Sequence, residues 1–187
     1  LTADVNRDGQ PEILYGDGQW GSIYAHDGPS GTKLWEIGNP EHGTTRIAVA
    51  DLDADGELEV MWGAGWTSTG PDHFYVHGIP TFSREFESPD VVAPCAAAAQ
   101  GDVDDDGQDE IVAISWESDS GYDDGILHVF DAATFALEWR SSTGLFGGFA
   151  WTGVHDVAIG DVDGDGAPEI VVATDRLYDG RIFVFDG

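Results

Sequence analysis

Four nine-residue stretches place oxygen-bearing side chains at positions 1, 3, 5 and 9 around a glycine at position 6. They are Asp4-Val5-Asn6-Arg7-Asp8-Gly9-Gln10-Pro11-Glu12, the nine residues Asp51 to Glu59, Asp102 to Glu110, and Asp161 to Glu169. Side chains at 1, 3 and 5 of a tight loop converge on one point. Glycine at 6 permits the sharp turn, and the carbonyl of position 7 then faces the same point. Calcium, a hard cation that takes roughly six to eight oxygens at about 2.3–2.6 Å, suits such a set. The predicted ligands are Asp4, Asn6, Asp8 and Glu12; Asp51, Asp53, Asp55 and Glu59; Asp102, Asp104, Asp106 and Glu110; and Asp161, Asp163, Asp165 and Glu169. Gln10, Glu57, Gln108 and Ala167 would add backbone carbonyls, giving up to four Ca2+ sites.

The spacing excludes an EF-hand, which needs a glutamate at position 12 and flanking helices. Position 12 is Tyr15, Trp62, Ala113 or Val172, none of which coordinates. Short apolar runs follow each loop instead: Ile13-Leu14-Tyr15, Val60-Met61-Trp62, Ile111-Val112-Ala113 and Ile170-Val171-Val172. Such runs favour strands, so each loop joins two strands. A simple acidic turn is the competing reading. It would leave three to six carboxylates in nine residues, mutually repelling and with no cation between them.

The 187 residues carry 36 acids against 7 bases, a formal charge of −29. Half of those acids, 18, fall within the four loops. Four calcium ions would still leave about −21, and no basic patch exists to meet phosphates, so nucleic acid is excluded as a partner. Anionic membrane surfaces are disfavoured on the same ground, and no apolar run is long enough for membrane insertion. Asp outnumbers Glu 25 to 11 and Lys33 is the sole lysine, a bias that resembles proteins from saline settings. Cys95, the only cysteine, sits in an apolar stretch and reads as a buried structural thiol.

The loops begin at Asp4, Asp51, Asp102 and Asp161, spacings of 47, 51 and 59 that belong to propellers and solenoids. Each unit predicts four strands. A small-residue strand enters the loop (Arg46–Ala50, Ala96–Gly101, Asp156–Gly160) and the apolar strand leaves it. After a connection rich in Gly, Asp, Ser and Trp comes a third strand: Gly21–Asp27, His73–His77, Gly125–Asp131 or Gly180–Asp186. A fourth carries Lys33–Ile37, Phe82–Phe86 or Ala136–Trp139. Four antiparallel strands make a propeller blade. The fold class is therefore all-β, a β-propeller in a single domain over 1–187, with blades at about 1–40, 41–90, 91–144 and 145–187. The first and last blades are incomplete. The expectation is a fragment of a larger propeller, whose remaining blades, or a second copy of the chain, would cover the open edges.

At this point the chain resembles the FG-GAP (VCBS) repeat, which places D-x-[DN]-x-D-G-x-x-[DE] between the first two strands of a blade. That repeat builds the integrin α-subunit propeller and many bacterial surface proteins. Integrin loops usually carry Asp at the ninth position, where all four loops here carry Glu. Ala25-His26-Asp27-Gly28-Pro29-Ser30-Gly31 followed by Trp35 also matches the tryptophan-docking pattern of quinoprotein dehydrogenases, with a degraded copy ending at Trp139. That motif implies a structural staple between blades and no quinone site.

Weaker signals are read as packing. His26 and His128 are expected at equivalent places in third strands. His42, Arg46 and His155 precede first strands, near the axial mouth where propellers usually bind. Trp66, Trp116, Tyr122, Phe149 and Trp151 lie in long connections, where aromatics either pack locally or stack on sugars. No catalytic constellation can be assembled.

The resemblance implies an extracellular, secreted or cell-surface module stabilised by calcium, acting in adhesion or ligand recognition toward a glycan or surface protein on its loop face. The alternatives are the propeller of a polysaccharide lyase similar to rhamnogalacturonan lyases, or a purely architectural repeat. Asn6 gives the first loop fewer anionic ligands, and affinity rises with ligand charge. The expected outcome of Asn6→Asp is tighter calcium binding at that loop, measured by calorimetric titration; unchanged affinity would contradict it.

Overall fold

In the computed structural model the described residues are 1–18, 21–41, 43–65, 71–79, 81–91, 95–115, 125–142, 145–146, 154–174 and 180–186. For residues 95–97 this covers the backbone alone. Fifteen strands are found among them. The first sheet contains β1 (Thr2–Ala3), β2 (Glu12–Gly16), β3 (Ser22–His26) and β4 (Lys33–Gly38). The second contains β5 (Thr44–Ala50), β6 (Leu58–Ala64), β7 (Phe74–Ile79) and β8 (Arg84–Glu87). The third contains β9 (Cys95–Gly101), β10 (Glu110–Ser115), β11 (Ile126–Asp131) and β12 (Leu137–Arg140). The fourth contains β13 (Val154–Gly160), β14 (Glu169–Thr174) and β15 (Ile182–Phe185). Each sheet is an antiparallel meander in chain order, and no helix occurs among the described residues.

The core lies between the sheets. One apolar cluster joins Leu14, Ile23 and Ala25 of the first sheet to Val60, Trp62 and Tyr75 of the second. A second joins Met61, Phe74 and Val76 to Ile111, Ala113 and Phe130. A third joins Val112, Ile114, Leu127 and Val129 to Ile170 and Val172. Adjacent residues of one strand thus serve two different interfaces. This is why β6, β7, β10 and β11 are buried on both faces and lose the alternation of a one-sided strand. β2 keeps the alternation, with Leu14 buried and Ile13 and Tyr15 exposed.

The first strands β5, β9 and β13 run side by side on the inner edge. There space is short: a Cβ on Gly101 would stand 2.9 Å from Ile159 Cγ2 of the next blade. Arg46 and Asp156 pair across this edge at 3.2 Å, joining the second and fourth sheets. Arg46 and His155 therefore lie within β5 and β13 rather than ahead of them.

At the outer edge, aromatic rings link the blades. Trp35 of β4 meets Phe82 in the next blade's turn at 5.7 Å, and Phe86 of β8 stacks on Phe135 at 4.7 Å and 7°. Register shows the pattern: Trp35, Phe86 and Trp139 lie opposite Ala25, Val76 and Val129, equivalent positions of the third strands. The receiving Phe82 and Phe135 sit at φ 56° and 58°, left-handed backbone that Gly31 occupies in the first blade. The tryptophan-docking motif is thus an interblade staple, as its resemblance implied.

One expectation is corrected. His26 is equivalent not to His128 but to His77: His26 faces Ile13 and His77 faces Val60, each the first residue after the loop glutamate. Both also lie against the carbonyl of the left-handed turn residue, Gly31 or Phe82. In the third blade Phe130 occupies that place, and His128 lies two residues earlier. A two-residue slip keeps the face, so spacing along the sequence could not reveal it. His42, Trp66, Trp116, Tyr122, Phe149 and Trp151 lie outside the described residues, as does the side chain of Cys95.

Phe130 is 1% exposed and meets Phe74 and Phe86 edge-on at 5.3 and 5.7 Å. Phe130→Ala is expected to cost about 3–5 kcal/mol, the usual range for a buried aromatic truncation. Phe82→Ala, at a 40% exposed site, is expected to cost about 1 kcal/mol, near the centre for point substitutions. Urea denaturation compares the two; equal losses would mean that the cores do not lie between blades.

Candidate metal centre

Each loop leaves a first strand and returns as a second, and all four adopt one conformation. Position 4 is left-handed in every copy: Arg7, Ala54, Asp105 and Gly164 have φ of 59°, 57°, 59° and 85°. The glycines at position 6 lie at 88° to 100°, where other residues are strained. These two residues fold the loop back over its own side chains.

The same hydrogen bonds recur in every copy. The position-1 aspartate accepts from the backbone N–H of the position-6 glycine at 2.9–3.1 Å. The position-3 side chain accepts from the N–H of position 5, and the position-5 aspartate from that of position 7. The position-9 glutamate reaches back to the N–H of position 2, so Glu12, Glu59, Glu110 and Glu169 hold Val5, Leu52, Val103 and Val162 at 2.7–2.8 Å. One oxygen of each group thus fixes the loop.

Where the carboxylates converge differs between copies. In the fourth loop Asp161, Asp163, Asp165 and Glu169 each bring an oxygen within 4.8 Å of the others. The second groups Asp51, Asp53 and Glu59, and the third Asp102, Asp104 and Glu110. Asp55 and Asp106 stand outside these groups. In the first, Asp8 and Glu12 are joined by Asp27, while Asp4 stands apart. Asn6 donates its amide nitrogen to Glu12 Oε1 at 3.2 Å, so this loop lacks an anionic oxygen at position 3 and shares the one at position 9 with that amide.

Asp27 was not foreseen from the loop motif. It ends the third strand and comes beside Glu12 because Ile13 faces His26. The signal lay in the acids that close third strands, Asp27, Asp131 and Asp186. The Asp27 carboxyl is held below the usual range by the hydroxyl and backbone N–H of Ser30.

The position-9 glutamates carry the electrostatic tension. Glu12, Glu59, Glu110 and Glu169 are all buried. Burial pushes Glu59 and Glu110 up to about 7, against the pull of the Leu52 and Val103 N–H groups and with help from nearby acids. A divalent cation between these oxygens would remove both penalties, and oxygen donors alone suit calcium over softer metals. The donor set fits the ion.

The loops also touch across blades. Arg7 donates to the carbonyl of Gly56 in the next loop. Gln100, on β9, donates to Asp51 O at 3.4 Å and to Asp109 Oδ2 at 2.6 Å. At the opposite end of the blades, Glu41 accepts from Tyr75 Oη at 2.6 Å and from the His73 backbone N–H, and pairs with the His73 ring. Trp62 Nε1 donates to Asn39 Oδ1 at 3.1 Å. This cluster fastens the link between the first two blades. Burial and Glu41 push the Tyr75 phenol well above its ordinary range.

Residues 4–62 match the family model of the FG-GAP-like repeat. No curated protein matches the chain in sequence. Among solved structures it is similar to that titled "Structure of Dos1 propeller", with a TM-score of 0.62 and 14% identity over 94% of this chain and 42% of the other. It also aligns with the biofilm matrix protein Bap1 of V. cholerae at a TM-score of 0.47 and 18% identity, over 100% of this chain and 36% of that one. The second likeness is too distant to carry argument. The chain spans less than half the length of either structure. The family match and the likeness to the Dos1 propeller establish an FG-GAP-like repeat at residues 4–62 and the β-propeller architecture.

Two outcomes are expected. Raised glutamate pKa values favour the folded state below the unfolded value of 4.5, and that contribution is lost as pH rises through about 7. In chelator, the melting temperature should therefore fall between about pH 5 and 8. Glu110→Gln should flatten part of that fall, and a fall undiminished in this variant would refute the assignment. A Cβ on Gly107 meets nothing within 4 Å. Gly107→Ala should therefore cost about 1–2 kcal/mol through backbone strain alone, as read by denaturant titration.

Proposed function

We propose that the chain is a calcium-stabilised part of an extracellular β-propeller serving adhesion or ligand recognition. The observation that carries this reading is the fourfold recurrence of one loop in which the side chains at positions 1, 3, 5 and 9 are each tied to a specific backbone N–H. Such a scaffold holds carboxylates together against their repulsion, and a cation rewards that arrangement. Asp161, Asp163, Asp165 and Glu169 would hold the most complete site. Asp51, Asp53 and Glu59, and Asp102, Asp104 and Glu110, would hold two others, with Asp55, Asp106 and the carbonyls of Glu57, Gln108 and Ala167 drawn in on binding. In the first loop Asp8, Glu12 and Asp27, with Asp4, Asn6 and the Gln10 carbonyl, would make a weaker site. Calcium there supplies charge neutralisation and no chemistry on a substrate.

The ion would lock each first strand to its second and, through Arg7 and Gln100, the first three loops to one another. Extracellular modules work with affinities of about 0.1–1 mM, so weak loops would fill outside the cell and empty within it. Recognition is assigned to the end of the blades away from the metal loops, where the first strands β5 and β13 begin at Thr44 and Val154. A glycan or a surface protein is the expected partner there.

The test is a thermal melt in calcium and again in excess EGTA at fixed ionic strength, with magnesium as the control ion. Each site held at a hundredfold excess over its Kd adds about 2.7 kcal/mol. At about 2–4 °C per kcal/mol for a chain of this length, several sites should raise the melt by more than about 10 °C. Equal melts in calcium and EGTA would reduce the loops to acidic turns.

A further inference from the structure

The four loops repeat one phrase, but the residues that pass between them do not repeat. Two places before each position-1 aspartate stand Thr2, Val49, Gln100 and Ile159, and only Gln100 carries an amide. Position 8 is Pro11, Leu58, Asp109 or Pro168, so the third loop alone has a polar side chain there. Both departures fall in the third blade, and they meet: Gln100 Nε2 donates to Asp109 Oδ2 at 2.6 Å. The same nitrogen donates to the Asp51 carbonyl of the second loop at 3.4 Å.

One path of hydrogen bonds therefore runs through two loops. Asp51 Oδ2 accepts from the Gly56 N–H, while Asp51 Oδ1 is buried with no hydrogen-bond partner. Gln100 holds the carbonyl of Asp51 on one side and the carboxylate of Asp109 on the other. Asp109 directly precedes Glu110, whose own carboxylate clasps the Val103 N–H at the base of the third loop. Asp51 and Glu110, both assigned as metal ligands, thus stand at the two ends of a path whose middle is a single side chain. The two loops also share a cleft, lined by Asp53 and Ala54 from one and by Gly107 and Gln108 from the other.

We infer that Gln100 is a positioning residue that couples the second loop to the third, so that calcium in either raises the affinity of the other. The inference rests on the calcium reading of the loops. A glutamine loses rotamer freedom when its amide is held at both ends. Filling one loop fixes the acceptor on that side and orders the side chain, so the other loop closes at lower entropic cost. Such coupling is reciprocal, and the lower end of its usual range is about fivefold in affinity. Charge offers a second route, because an ion in one loop relieves repulsion on the next. Salt separates the two: at about 1 M, exposed charges are screened beyond about 3 Å. The fourth loop is the internal control, since Ile159 stands in the place of Gln100 and has no group to donate.

A calcium titration followed by nuclear magnetic resonance of isotope-labelled glycine, in that salt, tests it. The amides of Gly56, Gly107 and Gly166 each bond the position-1 aspartate of their own loop, so they report the loops separately. Asp53→Asn keeps an acceptor for the Asp55 N–H and removes an anionic ligand from the second loop. It should raise the calcium midpoint of Gly107 about fivefold and leave that of Gly166 unchanged. In a Gln100→Leu chain the same substitution should leave Gly107 unmoved. Asp109→Asn and Asp109→Ala remove the same charge, but only the first keeps an oxygen for Gln100. Coupling should therefore persist in Asp109→Asn and vanish in Asp109→Ala. A Gly107 midpoint that rises equally in the Gln100→Leu chain, or that ignores Asp53→Asn altogether, would overturn the inference while leaving calcium binding intact. Glycine amides that do not move with calcium at all would refute the metal reading and the inference with it, so the two failures are told apart.

Discussion

Four glutamates start the second strand of the four blades, buried almost completely, each accepting a hydrogen bond from the N–H of a residue seven positions earlier. That residue, Val5, Leu52, Val103 or Val162, stands second in the metal loop. The bond therefore closes the loop at its base and fixes where the first strand ends and the second begins. Remove it, and the loop loses the clasp at its base, leaving only the bonds of positions 1, 3 and 5 to hold the left-handed residues at positions 4 and 6. Retain it, and a carboxylate must be buried among others of its kind. A buried charge is tolerated only when paired or neutralised. The loop is thus a device with an electrostatic debt built into its geometry, and the remaining acids are arranged around that point.

Much of this was legible in the chain. Nine-residue phrases at spacings of 47, 51 and 59 gave the unit, and apolar runs after each phrase gave the second strand in every blade. The strands observed fall on the segments expected, with ends shifted by a few residues. The glutamates were read only as ligands; their second role, as clasps on the loop backbone, depends on a return path that spacing does not display. Asp27 was hidden for a similar reason. It approaches Glu12 across a strand pair, and its neighbours in sequence advertise a turn rather than a metal. The third-strand histidines were misaligned because the connection before each strand varies in length. Only the ladder shows which residue faces which.

The blades' two-sided burial explains another limit. Strands such as β6 and β10 carry apolar residues on both faces, so periodicity says strand or core without saying which neighbour is met. The staples do say. Trp35 and Phe86 each find an aromatic ring in the next blade, held outward by a turn residue in left-handed backbone. A phenylalanine at positive φ is an uncommon choice, and here it earns its place by reaching across the seam.

Those staples join residues 47 and 49 positions apart, and the three cores likewise link each blade to the one before it. Contact distance along the chain is thereby capped at about one repeat, whatever the number of blades. In the language of folding kinetics, adding a blade lengthens the chain without adding long loops to close, since closure entropy depends on the separation of the residues brought together. Arg46 and Asp156, 110 residues apart, are an exception. Order can spread from blade to neighbour as in other linear repeats, and the largest entropic step is deferred until the first and last faces of a ring must meet.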